Sequence, residues 1–300
     1  MQAQAQTRVL MQSGDFAEAL TLLERHWDQF PDRRDYLWSQ LAACHVALRD
    51  LPGAAAVMQR ALNANCMWRI SLLNDPALAA AVSDPVCREV IDQARRRVAD
   101  RRFKPGVLVE AAAGPSIRPL LLALHGATGC AAETLPRWLP ARELGYTVAA
   151  AQASQPASAD GFCWDPPRER VWQDLDEVAA MLPVHGRVVL AGFSQGGWMA
   201  LQAALRGLPF AAAGVVMVGT FVGDLANMEP AARRLRVAVL NGAEDAYSDR
   251  LGELRTLLVE RGHQVTLEIV PGLGHAYPHD FAARLPGLLR AVSRDQAEER

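Results

Sequence analysis

Hydrophobic and polar positions follow two different rhythms along this chain. Up to about residue 104, apolar side chains recur at helical spacing, as in Phe16, Ala19, Leu20 and Leu23 and again in Leu37, Leu41 and Val46. Glycine is nearly absent from that stretch and no β-branched run interrupts it, so the pattern predicts helix after helix. Stop and start signals fall at Ser13-Gly14-Asp15, Pro31-Asp32, Asp50-Leu51-Pro52-Gly53, Asn74-Asp75-Pro76 and Asp84-Pro85. Past Lys104-Pro105-Gly106 the grammar changes. Short apolar runs at 107–109, 120–124, 148–151, 188–191, 215–218, 237–240 and 265–270 predict strands, and helical patterns fall around 168–182, 195–206, 247–262 and 278–293. Strands alternating with helices predict an α/β fold, with a mostly parallel sheet covered on both faces. The chain is therefore expected to divide into an all-α domain, 1–104, and a sheet domain, 105–300.

The helical part holds a weak internal repeat. Asp15-Phe16 with Ala19 aligns with Asp50-Leu51 and Ala54, an offset of 35 residues that Pro31 punctuates. Trp38, Leu41, Ala54 and Ala61 fall where paired helices need large and small packing residues, because antiparallel helices approach closely only over small side chains. The segment from about 3 to 65 resembles two degenerate tetratricopeptide helix pairs. An unrelated helical bundle would give the same pattern.

Composition and charge mainly exclude. Half of the residues are hydrophobic and 21 % are charged, which argues for a globular chain rather than a disordered or fibrous one. With 31 basic against 33 acidic residues the formal charge is −2, which gives no electrostatic reason to expect nucleic acid. No apolar stretch reaches the length of a membrane span, and no signal segment is visible at the start. The five cysteines (44, 66, 87, 130 and 163) are widely spaced and form no Cys-x-x-Cys pair, so neither a disulfide framework nor a zinc site is expected. A reducing, cytoplasmic setting follows as the expectation.

The strongest chemical signal is Gly192-Phe-Ser-Gln-Gly-Gly197 between a β-branched run and an Ala-rich helical pattern. Ser194 then stands at a sharp strand-to-helix turn, where strained backbone pushes Oγ into the open. Side chains two positions to either side would collide, which suits Gly192 and Gly196. The N-terminal amides of the following helix aim at the same point, where they can stabilise an oxyanion.

A nucleophilic serine needs a base, and the base needs a carboxylate to fix its tautomer. His275 is framed by glycine in Gly272-Leu-Gly-His275, just past the run 265–270; His279 is the competing base, at the start of the last helical pattern. Asp245 follows the run 237–240 in Gly242-Ala-Glu-Asp245, with Glu244 and Asp249 as competing acids. The order Ser, Asp, His, each at the C-terminal end of a strand, is that of an α/β-hydrolase. A fourth part is the strand ending in His125-Gly-Ala-Thr-Gly129, which supplies the first oxyanion loop of such enzymes. The Ala127 and Gln195 backbone N–H groups are the expected donors, and His125 reads as a hydrogen-bonding residue of the loop rather than a second base. Thr128 in this loop and Trp164 in Gly161-Phe-Cys-Trp-Asp165 are the candidate substrate contacts; Trp164 reads equally as a loop residue packed over the sheet. No glycine elbow frames Cys163.

Together these motifs resemble the phospholipase/carboxylesterase family of α/β-hydrolases, which includes acyl-protein thioesterases, over roughly residues 106–293. The resemblance implies attack on carboxylic esters or thioesters by Ser194, with His275 and Asp245 as its triad, Ala127 and Gln195 as oxyanion donors, and neither cofactor nor metal. Two departures stand out. The loop reads Ala-Thr-Gly after His-Gly, where the family commonly has paired glycines or Leu-Gly-Asp, and simple members lack the helical first hundred residues. The same triad could serve a peptidase. The helical part could bind a protein partner, self-associate or cap the site.

Overall fold

A computed structural model describes the chain apart from residues 1, 27–33, 65–75, 101–102, 113, 115–116, 158–160, 166–167, 208 and 294–300. The expected breaks at Pro31-Asp32 and Asn74-Asp75, and Cys66, lie outside the described residues. The chain forms two compact units, Met1–Phe103 with Pro156–Asp160, and Lys104–Gln155 with Gly161–Arg300.

The first unit is helical. Its elements are α1 (Gln2–Ser13), α2 (Phe16–His26), α3 (Arg34–Ala47), α4 (Leu51–Asn63), a short 3-10 turn (Pro76–Leu78) leading into α5 (Ala79–Ser83), and α6 (Pro85–Asp100). The Asp-x-Pro and Asp-Pro breaks act as caps. The Asp50 carboxylate accepts from the Gly53 N–H at 2.9 Å, and Asp84 accepts from the Val86 and Cys87 N–H groups at 3.0 Å. Each satisfies amides that the first helical turn leaves without partners. Successive helices α1 to α4 pack on one another, and the 35-residue offset maps α2 onto α4. Ala19, Ala54 and Ala61 are fully buried in the shared core beside Trp38 and Leu41. That is the close approach small residues permit.

The second unit is built on a seven-stranded sheet: β1 (Gly106–Glu110), β2 (Leu120–Leu124), β3 (Thr147–Gln152), β4 (Val188–Phe193), β5 (Gly214–Val218), β6 (Arg236–Gly242) and β7 (Gln264–Val270). Spatial order is β1-β3-β2-β4-β5-β6-β7, and β1 pairs antiparallel with β3 while every other pairing is parallel. Helices α8 (Arg168–Met181), α9 (Gln195–Arg206) and α10 (Leu251–Glu260) cover one face; α7 (Ala131–Trp138) and α11 (Phe281–Ser293) cover the other. Strand β2 explains why its sequence shows no polar alternation: Leu120, Leu122 and Leu124 enter one core, and Leu121 and Ala123 enter the other.

Two helix starts differ from the sequence pattern. The stretch predicted as helix from 247 opens with a 3-10 turn, Ser248–Arg250, before α10, and α11 begins at Phe281 rather than 278. The sequence pattern does not predict α7, which is only eight residues long and carries Pro136 inside it. Strands β4, β5, β6 and β7 lie side by side, so the loops leaving their C-terminal ends converge. Open parallel sheets place their sites at that edge.

Candidate active site

The elbow begins where β4 ends. Ser194 has φ 52° and ψ −122°, a conformation that costs an L-residue about 1–3 kcal/mol. Its N–H donates to Val218 O at 2.9 Å, which pins the turn to the neighbouring strand. Its carbonyl accepts from the Gly197 and Trp198 N–H groups and so starts α9. The flanking glycines are required by space. A Cβ on Gly192 would lie 2.3 Å from the Gly196 carbonyl carbon, and one on Gly196 would lie 2.2 Å from Leu124 O. The strand, the turn and the helix thus touch backbone to backbone, and the serine hydroxyl is what protrudes.

Asp245 and His275 arrive on two loops stitched to each other. After β6, the Ala243 N–H donates to Val270 O and the Glu244 N–H to Leu273 O, each at 2.9 Å. A Cβ on Gly242 would fall 1.9 Å from Leu273 O, so this crossing also demands glycine. The stitching brings Asp245 Oδ2 to 2.8 Å from His275 Nδ1, and His275 Nε2 to 2.9 Å from Ser194 Oγ. Because an ionised carboxylate only accepts, Nδ1 carries the imidazole proton and Nε2 turns its lone pair to the serine hydroxyl. The Asp245 side chain is 0 % exposed and also accepts from the Tyr247 N–H at 3.0 Å and the Asn241 amide at 3.2 Å. The His275 side chain keeps 28 % of its surface and lies among the rings of Phe193 and Tyr247. Of the competitors, Glu244, Asp249 and His279 are all exposed, and none is hydrogen-bonded to this line.

The loop after β2 closes the site. The Gly129 N–H donates to Gly126 O at 3.0 Å, and the loop pairs with Phe162 on both sides, through Thr128 N–H to Phe162 O and Phe162 N–H to Gly129 O. Thr128 sits at φ 67° with its hydroxyl turned back to Ala127 O, and its side chain is exposed. Among the described residues, neither the Ala127 N–H nor the Gln195 N–H has a protein acceptor. The Gln195 side chain is a brace. Its carbonyl accepts from the Trp164 N–H at 3.0 Å and its amide donates to Asp165 at 2.7 Å.

His125 is wholly buried, with Nε2 accepting from the Ala153 N–H at 3.2 Å and Nδ1 against Gly126 O at 2.8 Å. Burial lowers its pKa to about 4, so the ring is neutral and structural. Trp164 is only 2 % exposed. It stacks on His125 and donates its indole N–H to His125 O at 2.9 Å, so it supports the loop after β2 and presents almost no surface to a substrate. Cys163 is buried beside it.

Several site residues were missed in the sequence. Asn241 accepts from the Thr220 N–H at 2.7 Å while donating to Asp245, and so ties Asp245 to the turn after β5. A polar side chain ending the apolar run 237–240 was the available signal. Tyr247 and Asp165 carried none, since their partners come from other loops. Among the described residues no group of three His, Cys, Asp or Glu side chains could hold a metal ion, and no helix is long and apolar enough to cross a membrane.

Comparison with known proteins divides along the same line. A family model described as Tetratricopeptide repeat matches residues 10–65. No curated protein matches the sequence. Among solved structures, an uncharacterized protein from Bacillus cereus ATCC 10987 is 19 % identical, with a TM-score of 0.54, covering 98 % of this chain and 99 % of that one. The esterase PE8 is 22 % identical, with a TM-score of 0.54, over 63 % of this chain and 99 % of that one. A phospholipase/carboxylesterase from Dyadobacter fermentans DSM 18053 is 17 % identical, with a TM-score of 0.50, over 63 % of this chain and 98 % of that one. The sheet unit has the α/β-hydrolase fold of these structures, and the helical unit is tetratricopeptide-like.

Proposed function

We propose that this protein is a serine hydrolase that cleaves carboxylic esters or thioesters through an acyl-enzyme. The observation that carries the reading is the unbroken line of hydrogen bonds from Asp245 through His275 to Ser194 Oγ, at 2.8 and 2.9 Å. A fold shared with esterases supports it as analogy only.

In this reading His275 Nε2 takes the proton as Ser194 Oγ attacks the carbonyl carbon. The oxygen of the tetrahedral intermediate turns to the Ala127 and Gln195 amides. Each such donor is worth about 2.7–4 kcal/mol of transition-state stabilisation. His275 then passes its proton to the departing alcohol or thiol, and the acyl group stays on Ser194. A water molecule, deprotonated by the same imidazole, attacks the acyl carbon and releases the acid, returning the proton to Ser194. Asp245 stays ionised throughout, held by Asn241 and the Tyr247 N–H, and stabilises the imidazolium that forms twice in the cycle. All the residues assigned to these steps belong to the 105–300 domain. The 1–104 domain takes no part in them, and we assign it the binding of a protein partner or a second copy.

Hydrolysis of p-nitrophenyl acetate by the full chain and by Ser194→Ala tests the reading. The variant is expected to lose at least about 10⁴-fold in kcat, in line with the cost of removing a triad member. Equal turnover by the two proteins would refute it.

A further inference from the structure

We propose that Phe221 and Tyr247 form an apolar subsite beside His275, and that it takes an alkyl or aryl group carried on the alcohol side of the ester. The inference rests on the hydrolase reading above. Phe221 keeps 37 % of its surface exposed between Thr220 and Val222, which are both buried. Its backbone is held from three directions. The Thr220 N–H is fixed on Asn241, the Arg250 guanidinium donates to the Val222 and Gly223 carbonyls at 3.1 and 3.0 Å, and a Cβ at Gly223 would lie 2.6 Å from the Trp198 indole nitrogen. A large apolar side chain is thus displayed on a rigid loop at the C-terminal end of β5, next to the elbow.

The ring is not displayed at random. It meets Tyr247 edge to face, at 5.6 Å between centroids and 84° between planes. Tyr247 meets the His275 ring in the same way, at 5.1 Å and 69°. Tyr247 is anchored in turn by its backbone N–H on Asp245. Aromatic surface therefore runs outward from the base itself. Chemistry decides which end of the ester lies against it. The imidazole that accepts the Ser194 proton must deliver it to the leaving oxygen, so the alcohol lies on the His275 side, while the carbonyl oxygen points to Ala127 and Gln195. An apolar group on that alcohol would cover the Tyr247 and Phe221 rings. Rings held rigidly lose little entropy on binding and contribute through buried area and edge-to-face contact.

The test uses the full-length protein and two ester series followed by acid release at constant pH. Methyl, butyl and benzyl acetates vary the alcohol; methyl acetate, butanoate and hexanoate vary the acyl group. The expected result is that kcat/KM for benzyl acetate exceeds that for methyl acetate by about tenfold or more, the scale on which apolar pockets discriminate. Phe221→Ala should shrink that ratio about tenfold, mainly through KM, and Phe221→Leu, which keeps apolar bulk on the loop, should shrink it less. A flat alcohol series in the wild-type protein, an unchanged ratio in both variants, or a preference confined to the acyl series would overturn the subsite. In each of those cases Ser194 still turns over esters, so the hydrolase reading survives. Failure to cleave any ester of either series, together with failure to cleave p-nitrophenyl acetate and S-butyl thioacetate, would overturn both.

Discussion

The helical unit and the sheet unit spend their stability differently. In the helices, the buried positions are mostly Ala, Leu and Val, with Trp38, Met58, Ile91 and two cysteines among them and Thr7 and Gln40 as the buried polar residues, and the small residues sit where helices cross. Among the described residues of α1 to α6, the one non-glycine residue at positive φ is Arg49, in the turn before α4. In the sheet unit, Ser194 and Thr128 both hold positive φ, and His125, Asn241 and Asp245 are buried polar groups at the ends of strands or in the loops that follow them. Each of those features is unfavourable unless the surroundings compensate it. Such local departures from the most stable choice are where functional sites are expected, and the helical unit shows fewer of them among the described residues.

The largest expected effect attacks the polar line directly. Asp245→Asn keeps the shape of the side chain but can donate a hydrogen bond to His275 Nδ1, which selects the wrong tautomer. Ester turnover should fall about 10⁴-fold with little loss of thermal stability. If the rate fell only a few-fold, Asp245 would not be the orienting acid.

A second prediction concerns the buried ring of His125. Its pKa is lowered from 6.5 to about 4 by burial, so in the folded state it stays neutral where the unfolded chain takes up a proton. A depressed base contributes stability above its unfolded pKa, and that contribution is lost as pH falls from 6.5 toward 4. The loss amounts to roughly 3 kcal/mol. Urea denaturation at pH 7 and at about pH 4.5 should show the wild-type protein losing more stability than His125→Gln over this window. Equal losses would mean that the ring is not held neutral by the fold.

The helical unit gives the smallest effects. Ala54→Leu inserts three extra carbons at a fully buried contact of α4 and should destabilise the unit by about 1–3 kcal/mol. Calorimetry would detect this as a lowered unfolding temperature. No change would mean that the helices do not approach as closely as the alanines require.

What the sequence revealed follows from how local each constraint is. The elbow was legible because both glycines are required within five residues of one another, by contacts that include the segment's own backbone. The order of Ser194, Asp245 and His275 was legible because each follows an apolar run. Asp245 is preferred to Glu244 and Asp249 in the sequence by its place after the run 237–240 and by the family resemblance; the burial that sets it apart is not local, since it depends on β6 and β7 together. Trp164 read equally well as a pocket wall or a packed loop residue. Only the placement of His125 and Gln195 around it shows it as a support. The helix Ala131–Trp138 was missed because it is short and interrupted by proline. Its stability comes from packing Trp138 against Tyr277 and Phe281, more than a hundred residues away.

The central claim is that Ser194 Oγ is a nucleophile activated by His275. Treatment of the full chain with a fluorophosphonate, followed by peptide mass spectrometry, tests it most directly. One stoichiometric adduct on Ser194 is expected, with labelling slowed strongly in His275→Ala. An adduct on another residue, or an unlabelled Ser194 in folded protein, would contradict it.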